Sequence, residues 1–211
     1  MKIKILDNFL KEEDLNKLES INLNQVKHDE IKVYHNAIDR ELNILSKDVL
    51  DEEFIKKLHK NYHNKAMNLL QDLFPEKVNL YQYSEFHIIE TGQNYKFPIH
   101  DDIPDKLLSG VIYLRPEKNT GTIFYENRNG DGKNEIEWKK NRAVFFARSE
   151  RKSWHSYQGD GRSNRLALVY NLMTNRDKLK DVYKIEKRNY FIGMLRYKIN
   201  PYVFKYFRSL F

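Results

Sequence analysis

Phe97-Pro98-Ile99-His100-Asp101-Asp102-Ile103-Pro104-Asp105-Lys106-Leu107-Leu108-Ser109-Gly110-Val111-Ile112-Tyr113-Leu114 reads as two extended segments joined by a short polar turn. The first closes on an imidazole followed by two carboxylates, and the second is almost solidly apolar, the pattern of a buried strand. Outward from this stretch, β-branched and aromatic residues dominate from about Val78 onward. Strands are expected over 80–89, 96–100, 107–114, 121–126, 134–138, 142–147 and 164–173. Turn chemistry separates them at Arg115-Pro116, Asn119-Thr120-Gly121, Asn129-Gly130-Asp131-Gly132 and Gly159-Asp160-Gly161. Short strands at near-even spacing imply a sandwich or small barrel. Upstream, a strand over 3–6 precedes a helix carrying Leu10, Leu15, Leu18 and Ile21, with Asp7 or Asn8 as its cap. A longer helical stripe follows Ser46 through Val49, Leu50, Phe54, Ile55, Leu58, Tyr62, Met67, Leu70 and Leu73, and Pro75 ends it. Helices first and strands after give an α+β layout with the helices packed on one face of the sheets.

The composition admits an ordinary globular domain. Of 211 residues, 40% are hydrophobic and 32% charged, with 8 Gly and 5 Pro, which excludes collagen-like, low-complexity and largely disordered chains. The lack of cysteine excludes disulfide frameworks, thiolate metal sites and cysteine nucleophiles, so any metal must be held by His, Asp or Glu. No run approaches the ~20 apolar residues that span a bilayer, and the expected compartment is the cytoplasm. The net charge of +7 has a definite location: residues 175–211 carry ten Lys and Arg against three acids, and the remaining 174 residues are balanced. The expected division is therefore a single domain over 1–174 and a basic aromatic extension over 175–211.

Three settings concentrate the chemistry. On an extended segment residues i and i+2 share a face, so His100 and Asp102 can reach one ion while Asp101 points away. His155, in Ser153-Trp154-His155-Ser156, closes the apolar stretch that contains Ala143-Val144-Phe145-Phe146-Ala147. Two imidazoles and one carboxylate with an open side form the facial triad that suits non-haem Fe(II). Arg165 opens another apolar strand, Leu166-Ala167-Leu168-Val169-Tyr170, where a buried guanidinium requires an anion, and a bound carboxylate supplies one. The other histidines carry less. His59 and His63 lie four apart on the long helix without an acidic partner motif, His28 and His35 sit in a polar loop, and His87 reads as a hydrogen-bonded sheet residue. Lys106 and Arg148 read as cations at the mouth of the site, solvated or facing an acidic substrate.

In order and spacing, His100-x-Asp102, the strand Leu107 to Leu114, Gly121-Thr122-Ile123-Phe124-Tyr125, Trp154-His155 and Arg165 resemble the Fe(II)/2-oxoglutarate-dependent dioxygenase superfamily. The nearest branch is that of prolyl 4-hydroxylase-like enzymes, and the resemblance covers about 80–173. It implies a double-stranded β-helix, that is, a jelly-roll, cupin-like barrel, with N-terminal helices packed on one sheet and a helical C-terminal tail. It also implies that His100, Asp102 and His155 ligate Fe(II), that Arg165 pairs with the distal carboxylate of 2-oxoglutarate, and that Tyr113 donates its hydroxyl to the same group. With O₂, the cosubstrate would leave as succinate and CO₂, and a substrate would be hydroxylated. Glu90, in Ile89-Glu90-Thr91-Gly92, stands where prolyl-hydroxylating relatives often have tyrosine, which speaks against a prolyl substrate.

A non-catalytic cupin-like module binding a carboxylate or phosphate is the alternative. Nucleic-acid repair is disfavoured, since Asn164-Arg165-Leu166-Ala167-Leu168 lacks a second arginine and the domain is neutral. The expected partners are a small-molecule or peptidyl substrate and no nucleic acid. The tail reads as helices broken at Pro201, either packed on the barrel by their aromatic face or serving as a peripheral membrane or protein docking element.

Overall fold

The computed structural model describes residues 2–21, 23 and 26–196. The tail beyond 196, including the break expected at Pro201, lies outside the described residues. Along the chain the elements are β1 (Ile3–Leu6), α1 (Glu12–Glu19), β2 (Ile31–Tyr34), β3 (Ala37–Asp39), β4 (Ile44–Ser46), α2 (Glu52–Leu73), β5 (Tyr83–Thr91) and β6 (Lys96–His100). There follow β7 (Lys106–Arg115), β8 (Ile123–Phe124), β9 (Asn134–Glu135), β10 (Ala143–Ala147), β11 (His155–Gln158), β12 (Arg165–Met173) and α3 (Leu179–Ile185).

The strands form two antiparallel sheets. The larger has eight strands in the order β1-β10-β7-β12-β5-β3-β4, with β2 also pairing β5, and the smaller runs β6-β11-β8-β9. Alternation divides the larger sheet into two faces. Leu166, Leu168, Tyr170 and Leu172 of β12 join Phe86 and Ile88 of β5 in the main core, where α2 contributes Phe54, Ile55, Leu58, Tyr62, Ala66 and Leu70. The opposite residues of β12 turn toward the smaller sheet, and a second apolar cluster of Tyr113, Phe124, Trp138, Val144 and Phe146 bridges the two. β10 is buried along its whole length because its two faces feed both clusters.

Several boundaries differ from the sequence expectation. Neither Asp7 nor Asn8 caps α1. Asp7 is bound to Arg142 (2.7 Å) and Lys139 (2.8 Å), Asn8 has a left-handed φ of 52°, and the chain turns into the helix only after Asn141 has bonded the Leu10 amide and carbonyl. Ser46 lies in β4, and the cap of α2 is Asp51, which accepts the Phe54 amide at 2.7 Å. Pro75 stops α2 and opens a 3₁₀ turn through Leu80, so β5 starts at Tyr83. The polar stretch after α1 holds three short strands: β2 and β3 pair with the free edge of β5, and β4 pairs with β3.

The chain after Met173 continues to pack. Leu179 and Val182 belong to the main core, and the Glu186 side chain is 1% exposed beside Lys77 and Arg148. Over 190–196, Tyr190 and Met194 pack inward while Phe191, Ile192 and Leu195 face outward. No helix among the described residues is long and apolar enough to cross a membrane.

Candidate functional site

β6 ends on His100 and β11 begins on His155, and the two are register partners in the smaller sheet. Their rings lie 4.1 Å apart, centroid to centroid. Each Nδ1 meets a backbone carbonyl two residues back, Pro98 O at 2.9 Å for His100 and Ser153 O at 2.8 Å for His155. These bonds assign the proton to Nδ1 and leave each Nε2 lone pair free as a donor to a metal. Asp102 follows His100 by two residues and brings its carboxylate to the same point. One ligand atom from each of His100, Asp102 and His155 lies within 4.8 Å of the others. Asp101 does turn away, accepting from Ser153 Oγ and the Arg151 amide.

The surroundings keep His100 and Asp102 in ligating form. Burial, reinforced by the neighbouring His155, holds the His100 imidazole down to about 3, so it stays neutral. Burial alone would raise Asp102, but the Lys106 ammonium and the two imidazoles outweigh it and hold the carboxyl well below the usual carboxylate range. Ser109 Oγ donates to Asp102 Oδ2 at 2.6 Å, and Lys106 Nζ to Oδ1 at 2.7 Å. Phe97 lies edge-on to His100 and Phe146 edge-on to His155, which fixes both ring planes.

A cavity of about 150 Å³ between the two sheets is lined by the triad and also by Arg165. Arg165 is 7% exposed, and among the described residues its Nε has no hydrogen-bond partner. Among the described residues no carboxylate pairs with it; the guanidinium instead lies 3.9 Å above the Tyr157 ring, with Trp138 and Tyr113 further off. A buried guanidinium left with aromatic faces alone suits an incoming carboxylate. The triad with open coordination and this cation in one cavity fit Fe(II) and a diacid such as 2-oxoglutarate.

Tyr113 is buried beneath this cavity, stacked on Trp138. Its hydroxyl donates to Thr122 Oγ1 (3.1 Å) and accepts the Thr122 amide (2.8 Å). A Cβ at Gly121 would sit 1.7 Å from the Ile136 carbonyl, so only glycine lets the segment before β8 pass so close to Ile136. Lys106 and Arg148 are not solvated cations. Lys106 is paired with Asp102, and Arg148 is 3% exposed, bonded to Glu186 and to the Asp102 carbonyl. Glu90 lies on the face of β5 opposite Ile89 and Thr91, which line the cavity. His59 and His63 stack on each other and beside Tyr81, away from the triad. Ser109, Thr122 and Tyr157 were not singled out in the sequence. The signal for Tyr157 was its i+2 spacing from His155, but β11 itself was not foreseen.

No protein-family model and no curated protein matches the chain. Solved structures do. A prolyl-4-hydroxylase from Pseudomonas putida is 16% identical with a TM-score of 0.55, over 82% of this chain and 92% of that one. An oxidoreductase of the 2OG-Fe(II) oxygenase family from Burkholderia pseudomallei is 15% identical with a TM-score of 0.59, over 81% and 84%. The chain shares the fold of these two solved structures, and its His100, Asp102 and His155 cluster lies between its sheets.

Proposed function

We propose that this chain is an Fe(II)- and 2-oxoglutarate-dependent oxygenase that hydroxylates a substrate and releases succinate and CO₂. The observation that carries the reading is the sharing of one cavity by a metal-capable triad and a buried, anion-less arginine. On this reading the two sheets are the halves of a double-stranded β-helix. His100, Asp102 and His155 hold the metal, and Arg165 takes the distal carboxylate of the cosubstrate. When bound, Fe(II), 2-oxoglutarate and O₂ supply the oxidising chemistry, converting the diacid to succinate and delivering an oxygen atom to a C–H bond.

The protein's own residues do the positioning. The carbonyls of Pro98 and Ser153 orient the two imidazoles, and Ser109 orients Asp102. Tyr157 supports the Arg165 guanidinium from below and is itself anchored through its hydroxyl to Asn119 Oδ1 at 3.1 Å. Phe97, Phe146 and Val111 keep the cavity walls apolar, which strengthens the charge pairing inside. Tyr113 acts through Thr122, which lines the cavity and whose hydroxyl and amide are both bonded to the Tyr113 hydroxyl.

The test is aerobic conversion of 2-oxoglutarate to succinate with added Fe(II), run beside Arg165→Met. A charge-assisted pair contributes ~1.5–3 kcal/mol, so the variant's affinity for 2-oxoglutarate should fall ~10- to 150-fold while metal still binds. Absence of succinate from the wild type, or unchanged 2-oxoglutarate affinity in the variant, contradicts the proposal. A cupin-like binding module would show no stoichiometric iron and no stabilisation lost to a chelator.

A further inference from the structure

The polar surface on the inner face of the larger sheet extends beyond the triad and Arg165. Ile89 and Thr91 of β5 line the cavity, so alternation puts His87 and Glu85 on the same face, one and two pleats further along. On β12, Ala167 and Val169 line it and Asn171 follows on that face. Register then sets Glu85, Asn171 and Ser109 side by side across three strands.

The row is hydrogen-bonded in two parts. Ser109 holds Asp102, and Asn171 Nδ2 donates to Glu85 Oε2 at 3.1 Å. His87 Nε2 lies 3.4 Å from the same carboxylate oxygen and 3.3 Å from Nδ1 of His35, which is exposed at the end of β2. The polar row therefore runs from beside Asp102 towards solvent along a wall that is otherwise Ile89, Val111 and Val169.

Two features mark it as a binding surface. Asn171 is fully buried, yet among the described residues its Oδ1 has no hydrogen-bond partner. Unsatisfied buried amides are costly, and a ligand hydroxyl would satisfy this one. The second feature is charge. Lys106 is neutralised by Asp102, burial pushes Glu85 up, and burial with the neighbouring His35 holds His87 down to about 3. What remains is an alternation of donors and acceptors with little net charge. A hydroxyl donates one hydrogen bond and accepts two, which matches this inventory.

We propose that Glu85, His87, His35 and Asn171 form the primary-substrate subsite and that it takes a neutral polyhydroxylated molecule, a sugar or polyol. The assignment rests on the oxygenase reading, which places the reacting C–H beside the triad.

The experiment uses the full chain loaded with Mn(II) and 2-oxoglutarate, titrated with glucose, N-acetylglucosamine and myo-inositol, with glutamate and lysine as charged comparators. Paramagnetic relaxation of the probe's protons reports closeness to the metal, and solvent-water relaxation reports Mn(II) binding itself. At least one neutral probe should bind beside the metal, with affinity about tenfold weaker in Glu85→Ala and in His87→Ala and unchanged Mn(II) binding. Should either variant fail to fold, Glu85→Gln keeps the shape and should still weaken the neutral probe. The subsite is overturned if Mn(II) binds but no neutral probe relaxes, if a charged comparator binds better, or if the variants leave probe affinity unchanged. Failure of Mn(II) to bind would instead overturn the oxygenase reading beneath it.

Discussion

Asp102→Ala is expected to abolish stoichiometric Fe(II) binding and to lower succinate formation by more than ~100-fold. Losing the partners behind metal ligands typically costs ~10–100-fold in metal affinity or activity, so removing the anionic ligand itself should exceed that range. Ser109→Ala, which removes the 2.6 Å hydrogen bond to Asp102 Oδ2, should fall within the range and provides the internal scale. The fold should survive Asp102→Ala, because the stranded cation is Lys106, whose side chain is 20% exposed and can swing into water. His155→Ala should reproduce the metal loss. Metal titration followed by chelator, with circular dichroism as the folding control, measures all three variants. Full turnover in Asp102→Ala would remove the triad from the chemistry.

Glu186→Ala should be the most destabilising single substitution of a charged side chain in the described structure. Glu186 Oε1 accepts Lys77 Nζ at 2.5 Å, and Oε2 accepts Arg148 Nη1 at 2.8 Å and the Glu150 amide at 3.0 Å. Lys77 is fully buried and Arg148 nearly so, and burial, only partly offset by Glu186, pulls the Lys77 ammonium down to about 8. Removing one partner of such a buried pair costs ~3–5 kcal/mol, because the other charges stay buried without it. For a domain of this size ~1 kcal/mol corresponds to ~2–4 °C, so the thermal midpoint should fall by ~6–20 °C. Glu186→Gln should lose less, and the pair Lys77→Met with Glu186→Leu should recover part of the loss, since apolar replacement of a buried ion pair is often neutral or better. Arg148 Nε also donates to the Asp102 carbonyl, so Glu186→Ala should loosen metal binding as well. A midpoint within 2 °C of wild type, roughly the effect of 1 kcal/mol, would show the network to be inconsequential.

The contrast between these two sites explains what could be read from the chain alone. The triad was legible because its members sit at strand ends and two of them are neighbours in sequence, so i+2 spacing alone brings His100 and Asp102 together. Arg165 was legible as a charge in an apolar strand. The Lys77, Arg148 and Glu186 network was not, because its members lie 38 to 109 residues apart and each looks like an ordinary surface charge. Arg148 was misread for that reason. The short strands β2, β3 and β4 carry too few residues for periodicity to register, and they exist because β5 offers an unpaired edge. Tyr157 became relevant only through β11, where the turn-like residues around Gly159 masked a four-residue strand. Register decided the rest: no local pattern announces that His155 faces His100, or that Glu85, Asn171 and Ser109 form a row.

Anomalous diffraction at the iron edge from crystals grown without oxygen with Fe(II) and 2-oxoglutarate tests the central assignment most directly. The expected result is one iron peak within bonding distance of His100 Nε2, His155 Nε2 and a carboxylate oxygen of Asp102, with the diacid reaching from the metal to Arg165. An iron peak on other residues, or a diacid bound away from Arg165, would contradict it.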